Sequence, residues 1–189
     1  MRLLKLLIFS VFFISCSGPP KRDPSTVFRY NEAAGISSLD PAFARNQANI
    51  WACHQLFNGL VRMDDQLKVQ PDLAKSWEIL DSGKLYRFHL RDDIRFHKDA
   101  CFGKDSSRAL KANDVLYSLN RLRDPNLAAP GAWVLNNVAD IKVISDEIIE
   151  IHLKEAFAPF LGILSMKYCS IIPKEAVDHY GSEFSQHPV

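Results

Sequence analysis

The chain of 189 residues carries 23 basic and 22 acidic side chains, and 47% of its residues are hydrophobic. This balance is that of a globular protein large enough to bury a core. It argues against nucleic acid as a partner, because nucleic-acid binding requires a clustered excess of Lys and Arg.

The first residues have the pattern of an export signal. Arg2 and Lys5 flank the start of the apolar run "LLIFSVFFIS", which is too short to span a bilayer as a helix. The run ends in "FISC" and resembles a bacterial lipobox, in which Cys16 is lipidated, although Phe13 stands where Leu is usual. We predict a lipoprotein signal peptide over residues 1–15 and a polar, proline-containing flexible tether over residues 16–25. The alternative is an ordinary signal peptide without lipidation.

Cysteine usage follows from that prediction. Export permits disulfides, and acylation of Cys16 leaves Cys53, Cys101 and Cys169. Three thiols form at most one pair, so the sequence does not indicate a disulfide framework.

Strand and helix patterns alternate in the first half of the remaining chain. β-branched and aromatic residues predict a strand over 26–34, and apolar spacing predicts a helix from about residue 46 to residue 57. "LVRMD" predicts a short strand. "PDLAKSWEIL" predicts a helical turn that leads into a strand over 77–80.

The stretch "KLYRFHLRDDIRFHKDACF" concentrates histidines, carboxylates and a thiol. Polar residues alternate with Tyr86, Phe88 and Leu90, and a period of two is typical of a half-buried strand. We predict a hairpin that turns at residues 91–93, with most of its reactive side chains facing solvent.

The second half gives similar signals. An apolar stripe predicts a helix over 113–122, and "VADIKVISDEIIEIHL" predicts a second hairpin that turns at residues 145–147. "APFLGILSM" predicts a short buried helix, "YCSIIP" a strand, and "KEAVDHYG" another helix. This mixture predicts an α/β (mixed α+β) fold class.

Five motifs in this order resemble one protein family. They are "SLDP", "LFNGLV", "PDLAKSWEI", "GKLYRFHLRDDIRFH" and "ANDVLYSLNRLRDP". Together they resemble the N-terminal lobe of the family-5 extracellular solute-binding proteins, which are dipeptide- and oligopeptide-binding proteins of ABC importers. The resemblance implies the N-terminal part of a two-lobed periplasmic-binding-protein-like type II fold. Residues 26–189 then form an incomplete first lobe, with the second lobe absent.

The sequence departs from the family pattern after "RFH". The segment up to the "DV" helix is several residues longer than is usual, and Lys111 stands where a Thr normally caps the helix. We expect Asn113 to take over as the N-cap, so that the helix begins slightly later. The role of the longer loop, residues 98–108, is left open.

The resemblance also implies ligand-binding residues. The family's first-lobe ligand strand corresponds to Ala33, Ala34, Gly35, Ile36 and Ser37, where small residues let another backbone approach closely. The alternative is that "AAG" only loosens the end of a strand.

The three tryptophans are predicted to have different environments. Trp133, in the loop "APGAWVLNN", is the aromatic candidate for the rim of a ligand cleft. Trp51 and Trp77 are expected to be buried core residues.

Enzyme and metal chemistry are not indicated. The sequence has no Gly-x-Ser-x-Gly, Walker or His-Glu-x-x-His motif. His97 and Cys101 flank a loop and lack the further ligands of a zinc site. We therefore predict no catalytic residue, metal or cofactor.

The function that the resemblance implies is the capture of short peptides in the periplasm for import. The expected partners are the peptide, the ABC permease subunits and, through a lipid anchor, the bacterial cell membrane or outer membrane. We expect a monomer and no nucleic acid. One alternative is a non-transport adhesin or sensor lipoprotein on the same scaffold. Another is a binder of a different solute: a nickel chelate, haem or an oligosaccharide.

Overall fold

Antiparallel strands and short helices make up the part of the chain that the computed structural model describes, residues 31–189. The predicted signal peptide, the tether, Cys16 and most of the first predicted strand lie outside the described residues. Residues Ala34–Val189 form one compact unit. Its strands are β1 (Val61–Met63), β2 (Val69–Pro71), β3 (Ala74–Leu80), β4 (Leu85–Leu90), β5 (Val138–Ser145) and β6 (Ile148–Leu153). Its α-helices are α1 (Gln47–Leu56), α2 (Ala112–Leu122), α3 (Phe160–Leu164) and α4 (Lys174–Tyr180).

The core lies on one face of a four-stranded antiparallel sheet of order β3-β4-β6-β5. The predicted alternation holds in β4, where Tyr86, Phe88 and Leu90 are at most 2% exposed. Helix α2 packs on β5 and β6 and buries Val115 and Leu119 in the same cluster. Each such side chain contributes about 1.5–3 kcal/mol by leaving water. The mixed α/β class is confirmed.

The hairpin predicted at residues 91–93 is wrong. Strand β4 pairs with β3 through the turn Asp81–Gly83, and on its other side with β6. Between β4 and α2, both within the described residues, the strand pairing is a single isolated bridge between Arg95 and Ala109. A turn sequence indicates where a strand ends, but the strand's partner is chosen by the apolar face that it shares with β6.

Two further local predictions are wrong. The helical turn expected before residue 77 is instead the end of β2 and the start of β3. "YCSIIP" lies in a 3-10 helix, Lys167–Cys169, and in the extended chain after it. There Ile171 donates its amide to the carbonyl of Asn58 at 2.9 Å, which satisfies that amide without a strand partner.

Helix α2 begins earlier than expected. Lys111 is the N-cap residue, and its backbone amide donates to the Asp114 carboxylate at 2.8 Å. That bond satisfies a group at the start of the helix without a capping hydroxyl. Asn113 therefore lies inside the first turn.

The long loop before α2 is tied to α4 by polar contacts. Arg108 donates to both oxygens of Asp114 and to both of Glu175, at 2.6–2.8 Å. The Tyr180 hydroxyl lies 2.9 Å from each oxygen of Asp99, at the start of the loop. The loop is thus part of the packed structure.

The length and composition of the helices bear on membrane insertion. No helix within residues 31–189 combines the length and the apolar character needed to cross a bilayer.

Candidate functional site

A cavity of about 290 Å³ opens between helix α1 and the turn that follows α3. Its size is close to that of small ligand sites, which begin near 300 Å³. Its lining is mainly apolar and aromatic, with few polar groups. The lining residues are Ala44, Ile50, Trp51, His54, Ser165, Met166, Lys167 and Tyr168.

One wall is the exposed side of α1. The helix starts where the Asn46 side chain accepts the amide of Asn49 at 2.9 Å, and it buries Ala48, Asn49 and Cys53. Trp51 points away from that face and is 49% exposed. The expectation that Trp51 belongs to the core is therefore wrong. Trp77 is not fully buried either, but it packs against the core from its edge.

The opposite wall is the 3-10 helix Lys167–Cys169. The Lys167 ammonium donates to the carbonyl of Phe57, the C-cap residue that follows α1, across 3.4 Å. No described carboxylate lies within 4.0 Å of it. Burial lowers the pKa of Lys167, and the more distant Asp72 carboxylate partly offsets this.

His54 shares the cavity with this cation. The Lys167 charge, followed by burial, lowers the pKa of His54 below its ordinary value of 6.5. The imidazole is therefore mostly neutral at pH 7, and Lys167 carries the charge of the lining.

Tyr168 connects the cavity to the loop that carries Trp133. Its ring lies directly on the backbone of Gly131, where an added Cβ would come within 2.3 Å of two ring atoms. Gly131 is followed by the 3-10 helix Ala132–Leu135, in which Trp133 is 52% exposed. The absence of a side chain at residue 131 is what lets the ring and the loop meet.

The segment predicted to bind ligand backbone is exposed. Residues 33 and 34 lie in a turn, and Gly35 has φ 71°, a left-handed conformation that glycine adopts without strain. Ile36 is 43% exposed. Ser37 donates its amide to the Asn49 side chain at 3.1 Å, which fastens the segment to α1 one residue before Ile50.

None of the six residues predicted from the sequence is among the residues that line the cavity. Ser37 is bonded to α1, and Trp133 follows Gly131 by two residues. Sequence reasoning missed Trp51, Lys167 and Tyr168. One signal was available for Trp51: the residues three and four positions later, His54 and Gln55, are polar, so its helix face has no apolar continuation.

The described residues do not assemble a metal site, since no three His, Cys, Asp or Glu side chains among them are placed to share an ion. The thiols of Cys53, Cys101 and Cys169 are all free. Burial raises the pKa of Cys53 to about 11 and that of Cys169 to about 12, so neither is an activated nucleophile.

Comparisons with known proteins agree on one group. The sequence model of the family described as bacterial extracellular solute-binding proteins, family 5 middle, matches residues 68–189. The probable deoxycholate-binding periplasmic protein YgiS of Escherichia coli K12 is 31% identical, over 86% of this chain and 32% of its own length. The glutathione-binding protein GsiB of Escherichia coli O1:K1 is 29% identical, over 82% of this chain and 29% of its own.

One solved structure is similar to this chain in both fold and sequence. It is the ABC transporter-associated periplasmic binding protein DppA from Helicobacter pylori in complex with the peptide STSA. It matches with a TM-score of 0.71 and 28% identity, over 81% of this chain and 33% of its own. The chain thus spans about a third of the length of the relatives it matches.

Proposed function

Because this chain belongs to family 5 of the bacterial extracellular solute-binding proteins, we propose that it is part of the substrate-binding component of an ABC importer that captures short peptides. The observation that carries the proposal is the cavity with an exposed tryptophan on its wall, in a chain whose fold matches a peptide-bound protein of the same kind.

The proposed mechanism is closure of two lobes around the solute. The described residues contribute to the first lobe, and a ligand favours the closed state only by binding it more tightly than the open one. Trp51 and Tyr168 offer apolar surface to a side chain of the peptide, and Trp133 forms part of the rim. The segment from Ala33 to Ser37 pairs with the peptide backbone, since its small residues permit close approach.

The proposed location is the periplasm. In this proposal residues 1–15 are removed, Cys16 is lipidated, residues 16–25 tether the lobe, and the permease subunits receive the solute. A polar tether and a lipid anchor together keep the lobe near the membrane without a spanning helix.

A second candidate solute is an amphipathic molecule other than a peptide. The observation that favours it is the apolar lining of the cavity, together with 31% identity to a relative named as a probable deoxycholate-binding protein. Such a molecule would use the same wall of α1 and the same closure.

The test is ligand-dependent stability of the natural protein, including any chain that adjoins these residues. We expect the melting temperature to rise with the concentration of some members of a tripeptide and tetrapeptide library. A ligand at a hundred times its Kd adds about 2.7 kcal/mol. Trp133→Ala should lower the affinity for the peptide that binds most tightly. Ile79→Ala, which truncates an equally exposed side chain on β3 (52%), should not.

A flat melting temperature across the library, in protein shown to have two lobes, would contradict peptide capture. A response to deoxycholate alone would favour the second candidate.

A further inference from the structure

Lys167 is the one described residue of the cavity lining with a formal charge at neutral pH. The other lining residues are aliphatic, aromatic, a serine and His54, whose pKa is lowered. Among residues 31–189, no acidic side chain lines the cavity. Its local charge is therefore positive, in a chain whose total charge is close to zero.

The ammonium of Lys167 has few hydrogen-bond partners among the described residues. It has three N–H donors, and its one described acceptor, the carbonyl of Phe57, lies at the long distance of 3.4 Å. The described carboxylate that influences its pKa, Asp72, accepts from the Asn58 side chain at 2.9 and 3.0 Å and forms no ion pair with Lys167.

A half-buried cation without a counter-ion is unfavourable, because the surrounding protein replaces water as its solvent. A carboxylate in the cavity would supply the missing acceptor through a charge-assisted hydrogen bond, which is stronger than a neutral one. An ammonium or guanidinium group would instead meet repulsion from Lys167.

The surface next to Lys167 determines which chemical group the rest of the ligand should carry. Ile50, Trp51 and Met166 are between a third and a half exposed and all line the cavity. Their apolar area is unfavourable in water and would be covered by an apolar or aromatic group. The preferred ligand therefore has an acidic group beside an apolar one.

We propose that Lys167 anchors a carboxylate of the captured solute while an adjacent apolar or aromatic group packs on Trp51. The inference rests on the proposed solute-capturing function and specifies which solutes the site prefers. A peptide offers two sources of this carboxylate, its C-terminus and an acidic side chain.

The experiment uses the natural protein and calorimetric titration with matched peptides. Ala-Phe-Glu, Ala-Phe-Gln and Ala-Phe-Gln amide carry two, one and no carboxylates, and their order of affinity separates the two sources. N-acetylphenylalanine and its amide test the same chemistry without a free peptide amine.

Three variants complete the design. Lys167→Met keeps the length and apolar stem but removes the charge, and Lys167→Arg restores a cation. Lys75→Met removes an exposed charge on β3 and does not line the cavity. We expect Lys167→Met to lower the affinity for the carboxylate ligands by about tenfold or more. The amide ligands should bind Lys167→Met as tightly as they bind the wild type. Lys167→Arg should recover most of the lost affinity for the carboxylate ligands, and Lys75→Met should leave every affinity unchanged.

Each other outcome has a defined meaning. If the peptides bind but neither amidation nor Lys167→Met changes affinity, the carboxylate anchor is wrong and peptide capture stands. If N-acetylphenylalanine binds in a Lys167-dependent way and no peptide does, the anchor stands and peptide capture is wrong. If Lys167→Met lowers the melting temperature of the free protein and leaves affinities unchanged, adjoining chain fills the cavity and the anchor is wrong. Binding of no probe overturns both.

Discussion

Arg121 of helix α2 and Asp40 of the "SLDP" motif form a two-pronged ion pair, with N–O distances of 3.0 and 2.6 Å. They are 81 residues apart in the sequence, and their side chains are only 13% and 6% exposed. The same carboxylate accepts the amide of Ala42 at 3.0 Å and so caps the turn after Pro41. This pair joins the segment that precedes α1 to the helix that covers the sheet.

Arg121→Met should therefore destabilise the fold. The change leaves the Asp40 carboxylate buried without its cation, and breaking such a pair costs about 3–5 kcal/mol. Urea unfolding followed by circular dichroism measures the loss. Arg62→Met, at an exposed residue of β1, should change the unfolding free energy by no more than about 0.5 kcal/mol.

The double variant Asp40→Asn/Arg121→Met separates the pair from the cap. Asn keeps the capping acceptor without the charge, so the double variant should be more stable than Arg121→Met alone. Equal stability of the two would contradict a buried charge as the cause.

Acid should weaken the sheet through Glu150. Its carboxylate accepts two bonds from the Arg87 guanidinium, at 2.9 and 2.7 Å, and this contact lowers the pKa of Glu150 below its ordinary value of 4.5. A pKa that is lower in the folded state adds stability that is complete above the unfolded-state pKa, about 4.3. That stability disappears as the pH falls through the folded-state pKa.

Unfolding free energies measured between pH 6 and pH 3 check this linkage. Glu150→Gln and Arg87→Met should each make the decline below about pH 4.3 shallower, and the double variant should add little further change. A decline as steep in both single variants as in the wild type would assign the acid sensitivity to other carboxylates.

Gly131→Ala should disturb the cavity from a distance. The new Cβ would overlap the Tyr168 ring at 2.3 Å, so the ring or the loop must shift, at a cost of about 1–3 kcal/mol. Thermal unfolding gives the stability change, and peptide titration shows whether the displaced Tyr168 weakens binding.

Gly162→Ala is the matched control. Residue 162 lies inside α3, and its added Cβ would meet a Met63 methyl at an ordinary 3.7 Å. The substitution should stabilise the helix by about 0.5–1 kcal/mol. Similar losses at both glycines would show that the Tyr168 contact is not responsible.

Trp51→Ala should separate binding from stability. Because the side chain is 49% exposed, its removal should lower the unfolding free energy by no more than about 1 kcal/mol, yet weaken solute binding about tenfold or more. Trp77→Ala should do the opposite, with a loss of about 2 kcal/mol in stability, because Trp77 packs on the core. Unchanged solute affinity in Trp51→Ala would remove α1 from the binding wall.

The sequence predicted those features that depend on neighbouring residues. Alternation identified the buried face of β4, apolar spacing identified α2, and the ordered motifs identified the family, which the match over residues 68–189 confirms. The pairing of β4 with β6 was missed because Phe88 pairs with Ile149, far along the chain. No turn signal carries that information.

The cavity was missed for a different reason. Hydrophobicity predicts that a tryptophan is buried, but it does not say whether the burying surface belongs to the same lobe. Lys167 gave no signal at all, since its isolation arises only when α1 and the turn after α3 come together. The roles of Ala33 to Ser37 and Trp133 stay predictions.

The contacts of the long loop have a consequence for the dynamics of the lobe. Since Arg108 joins Glu175 and Asp99 joins Tyr180, the loop cannot leave its place without releasing helix α4. Native-state hydrogen exchange should therefore show the amides of residues 98–108 and of α4 opening together, with one shared free energy. The additional residues of the long loop and helix α4 would then form one cooperative folding unit.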